Sequence, residues 1–135
     1  MIGVIDTSAL LRLYIPDGPI PDGLEAFMRA VEYGENVAIA PELMLAEAGN
    51  VVSKKHRQGV LSAEEMNELV GLISRMPVRY ISHRKLIVPA VDLAVDSGLT
   101  VYDALFLVLA RQKSARLFTA DMRLQKAAKK YGARI

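Results

Sequence analysis

The sequence predicts an α/β fold with a parallel sheet flanked by helices, and three observations carry that prediction. Short apolar runs at residues 2–5, 37–40, 78–81 and 117–119 have strand length and no strict polar alternation, as in strands buried on both faces. Segments with helical apolar spacing separate these runs, so strand and helix alternate and the connections become right-handed crossovers. The first run also breaks abruptly at Asp6-Thr7-Ser8. A carboxylate is thereby delivered to the carboxyl end of a strand, where open parallel sheets collect their chemistry.

Each element follows from local signals. After Asp6, with Thr7 or Ser8 as its cap, a short helix through Leu10, Leu11 and Tyr14 is ended by Pro16, and residues 16–23 read as a Pro-, Asp- and Gly-rich loop. Leu24, Phe27, Met28 and Val31 mark one face of a second helix that Gly34 stops. Pro41, after the second strand, suits the first turn of a helix reaching about Gln58. Ser62-Ala63-Glu64-Glu65 has the form of a capping box and opens a helix carrying Met66, Leu69, Val70 and Ile73. A helix over 86–97 tolerates Pro89 in its first turn and ends at Gly98. Residues 99–102 read as an extended link, and Asp103 then opens an apolar helix through Leu105, Phe106, Leu109 and Ala110. Asp121 starts a last helix reaching about Tyr131, and residues 133–135 form a terminal strand.

Composition narrows the chemistry. At 135 residues the chain reads as one domain, 1–135, and with 52% hydrophobic and 24% charged residues it is globular rather than disordered. It has no cysteine, which excludes disulfides and thiolate metal sites, and His56 and His83 lie far apart. Any metal must be held by oxygen, favouring Mg²⁺ or Mn²⁺ over Zn²⁺. No apolar run reaches the roughly 20 residues of a membrane span and no basic leader precedes the first apolar run, so a cytoplasmic location is expected. The net charge of +2 alone does not establish nucleic-acid binding.

Four acids acquire similar addresses in this topology. Asp6 follows the first strand, Asp121 follows the fourth, Glu47 lies early in the helix leaving the second, and Asp103 begins the helix feeding the fourth. Each has a plainer reading as well: a solvated cap for Asp6, and helix-start acids favoured by the dipole for Asp103 and Asp121. Glu47 sits among apolar neighbours and must turn to solvent or find a partner; Asn50, three residues on, is either its hydrogen-bond donor or a surface residue. Thr119 is placed to bond a carboxylate or water. Converging carboxylates raise one another's pKa, and a hard divalent cation is the usual compensation.

Taken together, residues 5–10 with Asp6, 41–50 with Glu47, 102–110 with Asp103 and 119–121 with Asp121 resemble the successive motifs of PIN-domain ribonucleases, and more narrowly of VapC-type toxins. The resemblance spans almost the whole chain, and its specificity lies in the order and spacing of four individually weak motifs. It implies a three-layer fold with a five-stranded parallel sheet of order 3-2-1-4-5. It also implies that Asp6, Glu47, Asp103 and Asp121 bind the metal, with Thr119 as a polar partner. The implied activity is metal-dependent endoribonucleolysis in a type II toxin–antitoxin pair, with a metal-activated water as nucleophile and 3′-hydroxyl and 5′-phosphate products.

One or two Mg²⁺ or Mn²⁺ ions fit such a rim. Positive charge for the RNA backbone has three sources: Arg12, the 54–57 run, and Lys126, Lys129 and Lys130. For the 54–57 run the helix dipole is a sufficient explanation. The helix around Met66 to Ile73 is apolar over more than one stripe, which suits a homodimer interface or a groove for a partner, and the resemblance implies a cognate antitoxin. Alternatives from other classes are a housekeeping RNA-processing nuclease, an inert PIN-like interaction module, and an aspartyl phosphatase or receiver domain. For a phosphatase, Ser8 stands where a second acid is usual.

Overall fold

The computed structural model describes residues 1–135. Four strands, β1 (Ile2–Ile5), β2 (Val37–Pro41), β3 (Val78–Ile81) and β4 (Arg116–Phe118), form an all-parallel sheet in the order β3-β2-β1-β4. The helices are α1 (Thr7–Arg12), α2 (Leu24–Glu32), α3 (Leu43–Arg57), α4 (Ala63–Arg75), α5 (Ile87–Ser97), α6 (Val101–Gln112) and α7 (Met122–Lys130). This is the expected sheet with one strand fewer. Residues 133–135 make a single bridge, in which Leu117 N–H donates to the Arg134 carbonyl at 2.8 Å. The cause is local: Gly132 turns at φ +81° and the Ala133 N–H is spent closing α7 onto the Ala128 carbonyl, so only Arg134 reaches β4.

Several boundaries differ from the sequence reading. Pro41 ends β2 instead of opening a helix, and costs the ladder nothing because Glu42 N–H supplies the next bond, to the Ile81 carbonyl at 3.0 Å. Tyr14 lies beyond α1, which ends at Arg12. The expected link over 99–102 is already helical from Val101, because the Thr100 hydroxyl accepts the Asp103 N–H at 3.1 Å and caps α6 two residues ahead of the predicted start. The capping box at Ser62 and Glu65 and the left-handed stop at Gly98 are as expected.

Residues 104–110 of α6 are all buried, which identifies it as the central helix and explains its lack of a polar face. It packs along β1 and β2, while α2 places Phe27 on Gly3, its ring 4.8 Å from that of Phe118. No single helix is long and apolar enough to cross a membrane. The apolar excess of α4 stays on the surface at Val70 and Leu72, and α5 adds exposed Val88 and Val95, which the sequence reading did not single out.

Gly3 tests this packing. A Cβ there would lie 2.5 Å from Phe27 Cζ and 2.9 Å from Phe118 Cε2, so Gly3→Ala should lower stability in denaturant unfolding by about 1–3 kcal/mol. Gly49→Ala, mid-helix with nothing near its Cβ, should instead raise it by about 0.5–1 kcal/mol. Equal effects would contradict the contact of α2 with the sheet.

Candidate active site

The site is assembled where β1 and β4 end side by side. Asp6 N–H donates to the Phe118 carbonyl at 3.1 Å, holding the two strand ends together. Asp6 itself, rather than Thr7 or Ser8, caps α1: Oδ1 accepts the Ala9 N–H at 2.8 Å and the Ser8 hydroxyl at 2.7 Å. Oδ2 accepts the Thr119 hydroxyl at 2.5 Å. Each hydroxyl has a single proton and gives it to Asp6, so each must accept elsewhere. Ser8 Oγ accepts the Ala120 N–H at 2.9 Å and Thr119 Oγ1 accepts the Asp121 N–H at 3.0 Å. Asp6 is only 5% exposed and Thr119 1%, and together they form a buried clasp across more than a hundred residues of sequence.

The other acids face this clasp. Glu47, half-buried on α3, accepts the Thr7 hydroxyl on Oε1 at 2.9 Å. Thr7 is thus the partner of Glu47, and Asn50, read from the sequence as either that donor or a surface residue, is exposed and lines the cleft without bonding Glu47. Asp121 caps α7 through Oδ1, accepting the Arg123 N–H at 2.8 Å. Asp103 is tied to Thr100, whose hydroxyl accepts its N–H at 3.1 Å. All four acids, with Thr7, Ser8, Asn50 and Arg12, line one open cleft of about 410 Å³. Arg12 points its guanidinium at the Pro19 carbonyl across a long 3.4 Å contact. Asp17 also lines the cleft, paired with Lys55 at 2.9 Å. The sequence reading missed Asp17, because the loop over 16–23 reads only as a turn; it named Lys55 within the basic 54–57 run but not this partner.

Burial dominates the electrostatics. It pushes Asp6 up from 3.8 to about 6, against the lowering effect of its bonds from Thr119, Ala9 and Ser8, and the Asp103 charge adds to the rise. Glu47 is raised by burial, relieved by Thr7 and raised again by Asp103. Asp103 is raised by burial and by Asp121, and lowered by Thr100 and Arg123. Its charge acts on Asp6 and Glu47, and the charge of Asp121 acts on it.

No three acids converge closely enough to hold an ion directly. The oxygens of Asp103 and one unshared oxygen each on Glu47 and Asp121 still fit a hard divalent cation, since Mg²⁺ usually takes one or two carboxylates and keeps several waters.

The PIN domain family model matches residues 3–130. The chain belongs to the PIN domain family. Among PIN relatives, Ribonuclease VapC3 of Pyrobaculum aerophilum is 30% identical over 125 residues, covering 90% of each chain. The PIN fold is shared with the crystal structure of PAE2754 from the same organism, at TM-score 0.69 and 24% identity, covering 94% of this chain and 79% of that one. FitAcB from Neisseria gonorrhoeae aligns at TM-score 0.64 and 16% identity, covering 96% and 94%. VapC20 from Mycobacterium tuberculosis, described as a sarcin-ricin loop cleaving toxin, aligns at 0.62 and 15%, covering 94% and 95%.

The raised Asp6 sets a stability profile for this PIN domain. Its folded carboxyl holds a proton up to about pH 6 while the unfolded one loses it near 3.8, so the ionised form works against folding. That opposition, roughly 3 kcal/mol, is absent below pH 3.8, grows from there to pH 6 and is complete above. In chelator at pH 8, Asp6→Asn should exceed the wild type by on the order of 1 kcal/mol, less than the full amount because the amide has one acceptor where Asp6 has two. The advantage should fade toward pH 4. Parallel pH profiles for the two proteins in thermal unfolding would remove Asp6 from this role.

Proposed function

We propose that this chain is a Mg²⁺- or Mn²⁺-dependent endoribonuclease and the toxin component of a type II toxin–antitoxin pair, acting in the cytoplasm with a cognate antitoxin. The observation that carries the reading is the set of four acids on one cleft, one of them, Asp6, clamped by Ser8 and Thr119. The similarity to Ribonuclease VapC3 supports RNA as the substrate.

When bound, a divalent cation supplies neutralisation of the phosphate charge and activation of water for in-line attack at phosphorus. The chain's residues supply the frame. Asp6 has three donors on its two oxygens and cannot swing, so it fixes the inner wall of the cleft. Glu47, oriented by Thr7, and Asp103 and Asp121 present unshared oxygens from three further elements. Without a counter-charge this rim repels a phosphodiester as strongly as it attracts a cation, which makes productive substrate binding depend on the ion. A covalent aspartyl-phosphate route is disfavoured, because the Asp6 oxygens are engaged and its side chain is buried. The exposed Val70 and Leu72 of α4 suit a homodimer or antitoxin interface.

RNA cleavage should require Mg²⁺ or Mn²⁺, stop in chelator, and fall by roughly 100-fold or more in Asp103→Asn, the scale seen when one charge-stabilising group is lost. In thermal unfolding, Mn²⁺ should stabilise the wild type more than Asp103→Asn, which lacks one charged ligand. Full cleavage in chelator, or equal stabilisation of both proteins, contradicts the assignment. A small antitoxin-like reading frame immediately upstream would favour a toxin over an RNA-processing nuclease.

A further inference from the structure

Outside the cleft, helix α7 carries Arg123, Lys126 and Lys130 at spacings of three and four, which places them on one stripe while Leu124 and Ala128 face the core. All three are exposed, and with Ser97, Leu99 and Tyr131 they line an open cavity of about 260 Å³. None of them is in a salt bridge; the one in the molecule joins Lys55 to Asp17. The neighbouring Asp96 is engaged by the Tyr131 hydroxyl. The helix dipole accounts for Lys130 in the last turn, but it opposes Arg123, which sits in the first turn at the positive end. Arg123 is nevertheless held there, with Nη2 donating to the Gly98 carbonyl at 3.3 Å and its charge felt by Asp103. The stripe therefore begins beside the acid cleft and runs away from it for about 10 Å along the helix.

We propose that Arg123, Lys126 and Lys130 form the track along which a single-stranded RNA backbone leaves the acid cleft. This rests on the ribonuclease reading above. A single row of cations on one helix matches one phosphodiester strand, whereas a duplex presents two backbones across a groove. Continuity with Asp103 and Asp121 favours the substrate over a separate acidic protein segment, which would have no reason to start at the cleft.

The test uses the full chain in the cleavage-disabled Asp6→Asn background with Mn²⁺, and a fluorescent single-stranded oligoribonucleotide of mixed sequence titrated over a range of salt. Adding Arg123→Gln, Lys126→Gln and Lys130→Gln should weaken binding at least about ten-fold at low salt and make the log–log salt slope shallower by about 2, since each lost phosphate contact removes about 0.7. The same charge change at the opposite end of the sheet, Arg111→Gln, Lys113→Gln and Arg134→Gln, should leave the slope in place. Lys126→Glu alone, a position without any hydrogen bond to disturb, should show the loss in smaller measure. If the background protein binds RNA and the α7 triple variant binds it equally, the track is refuted and the ribonuclease reading stands. If the background protein binds no RNA, both fall. If the triple variant loses poly-glutamate binding but keeps its RNA affinity, the stripe serves an acidic protein and the proposal is overturned.

Discussion

The carboxylate of Asp6 does three jobs with two oxygens. It caps α1, it ties the end of β1 to the end of β4 through Thr119, and it forms the inner wall of the acid cleft. The rest of the molecule makes these jobs compatible. The parallel sheet sets the two strand ends side by side, the buried helix α6 carries Asp103 to the same rim, and α3 carries Glu47. A capping aspartate on the surface would be an ordinary device worth about 1 kcal/mol. Here burial turns it into a charged group that the fold must restrain with three donors.

The burial itself runs against stability, and the three donors only partly offset it. The Asp103 charge raises Asp6 and Glu47, the Asp121 charge raises Asp103, and the only nearby cation that acts on Asp103 is Arg123, itself at an unfavourable helix end. The fold offsets this with a continuous apolar core that includes all of residues 104–110 on the helix bearing Asp103. The most buried helix thus carries the acid whose charge reaches both Asp6 and Glu47. A change that loosens α6 therefore reaches the cleft through Asp103 before it reaches the surface.

Local signals were legible in the sequence where a single residue decides the backbone. The capping box at Ser62, the stop at Gly98 and the cap at Asp121 stand where expected, as do the four strands, and the four acids line one cleft. What escaped the sequence depends on pairing between distant residues. Thr7 meeting Glu47 across 40 positions, and Lys55 reaching Asp17 beside the cleft, have no pattern in either segment. Pro41 shows the same limit, since whether a proline ends a strand or opens a helix is decided by whether Glu42 finds Ile81. The missing fifth strand was lost to the closure of α7, which uses the N–H a longer pairing needs.

The clasp between residue 6 and residue 119 also orders events in time. During synthesis Asp6 is made more than a hundred residues ahead of its Oδ2 partner Thr119, of the Ala120 and Asp121 N–H groups that bond the two hydroxyls, and of the Asp121 carboxylate itself. Until then β1 has no β4 beside it and the cleft has no fourth wall. A chain cut short before Thr119 therefore lacks part of the cleft however well the preceding residues fold. The cleft is thus assembled only once Asp121 has been made, however early Asp6 appears.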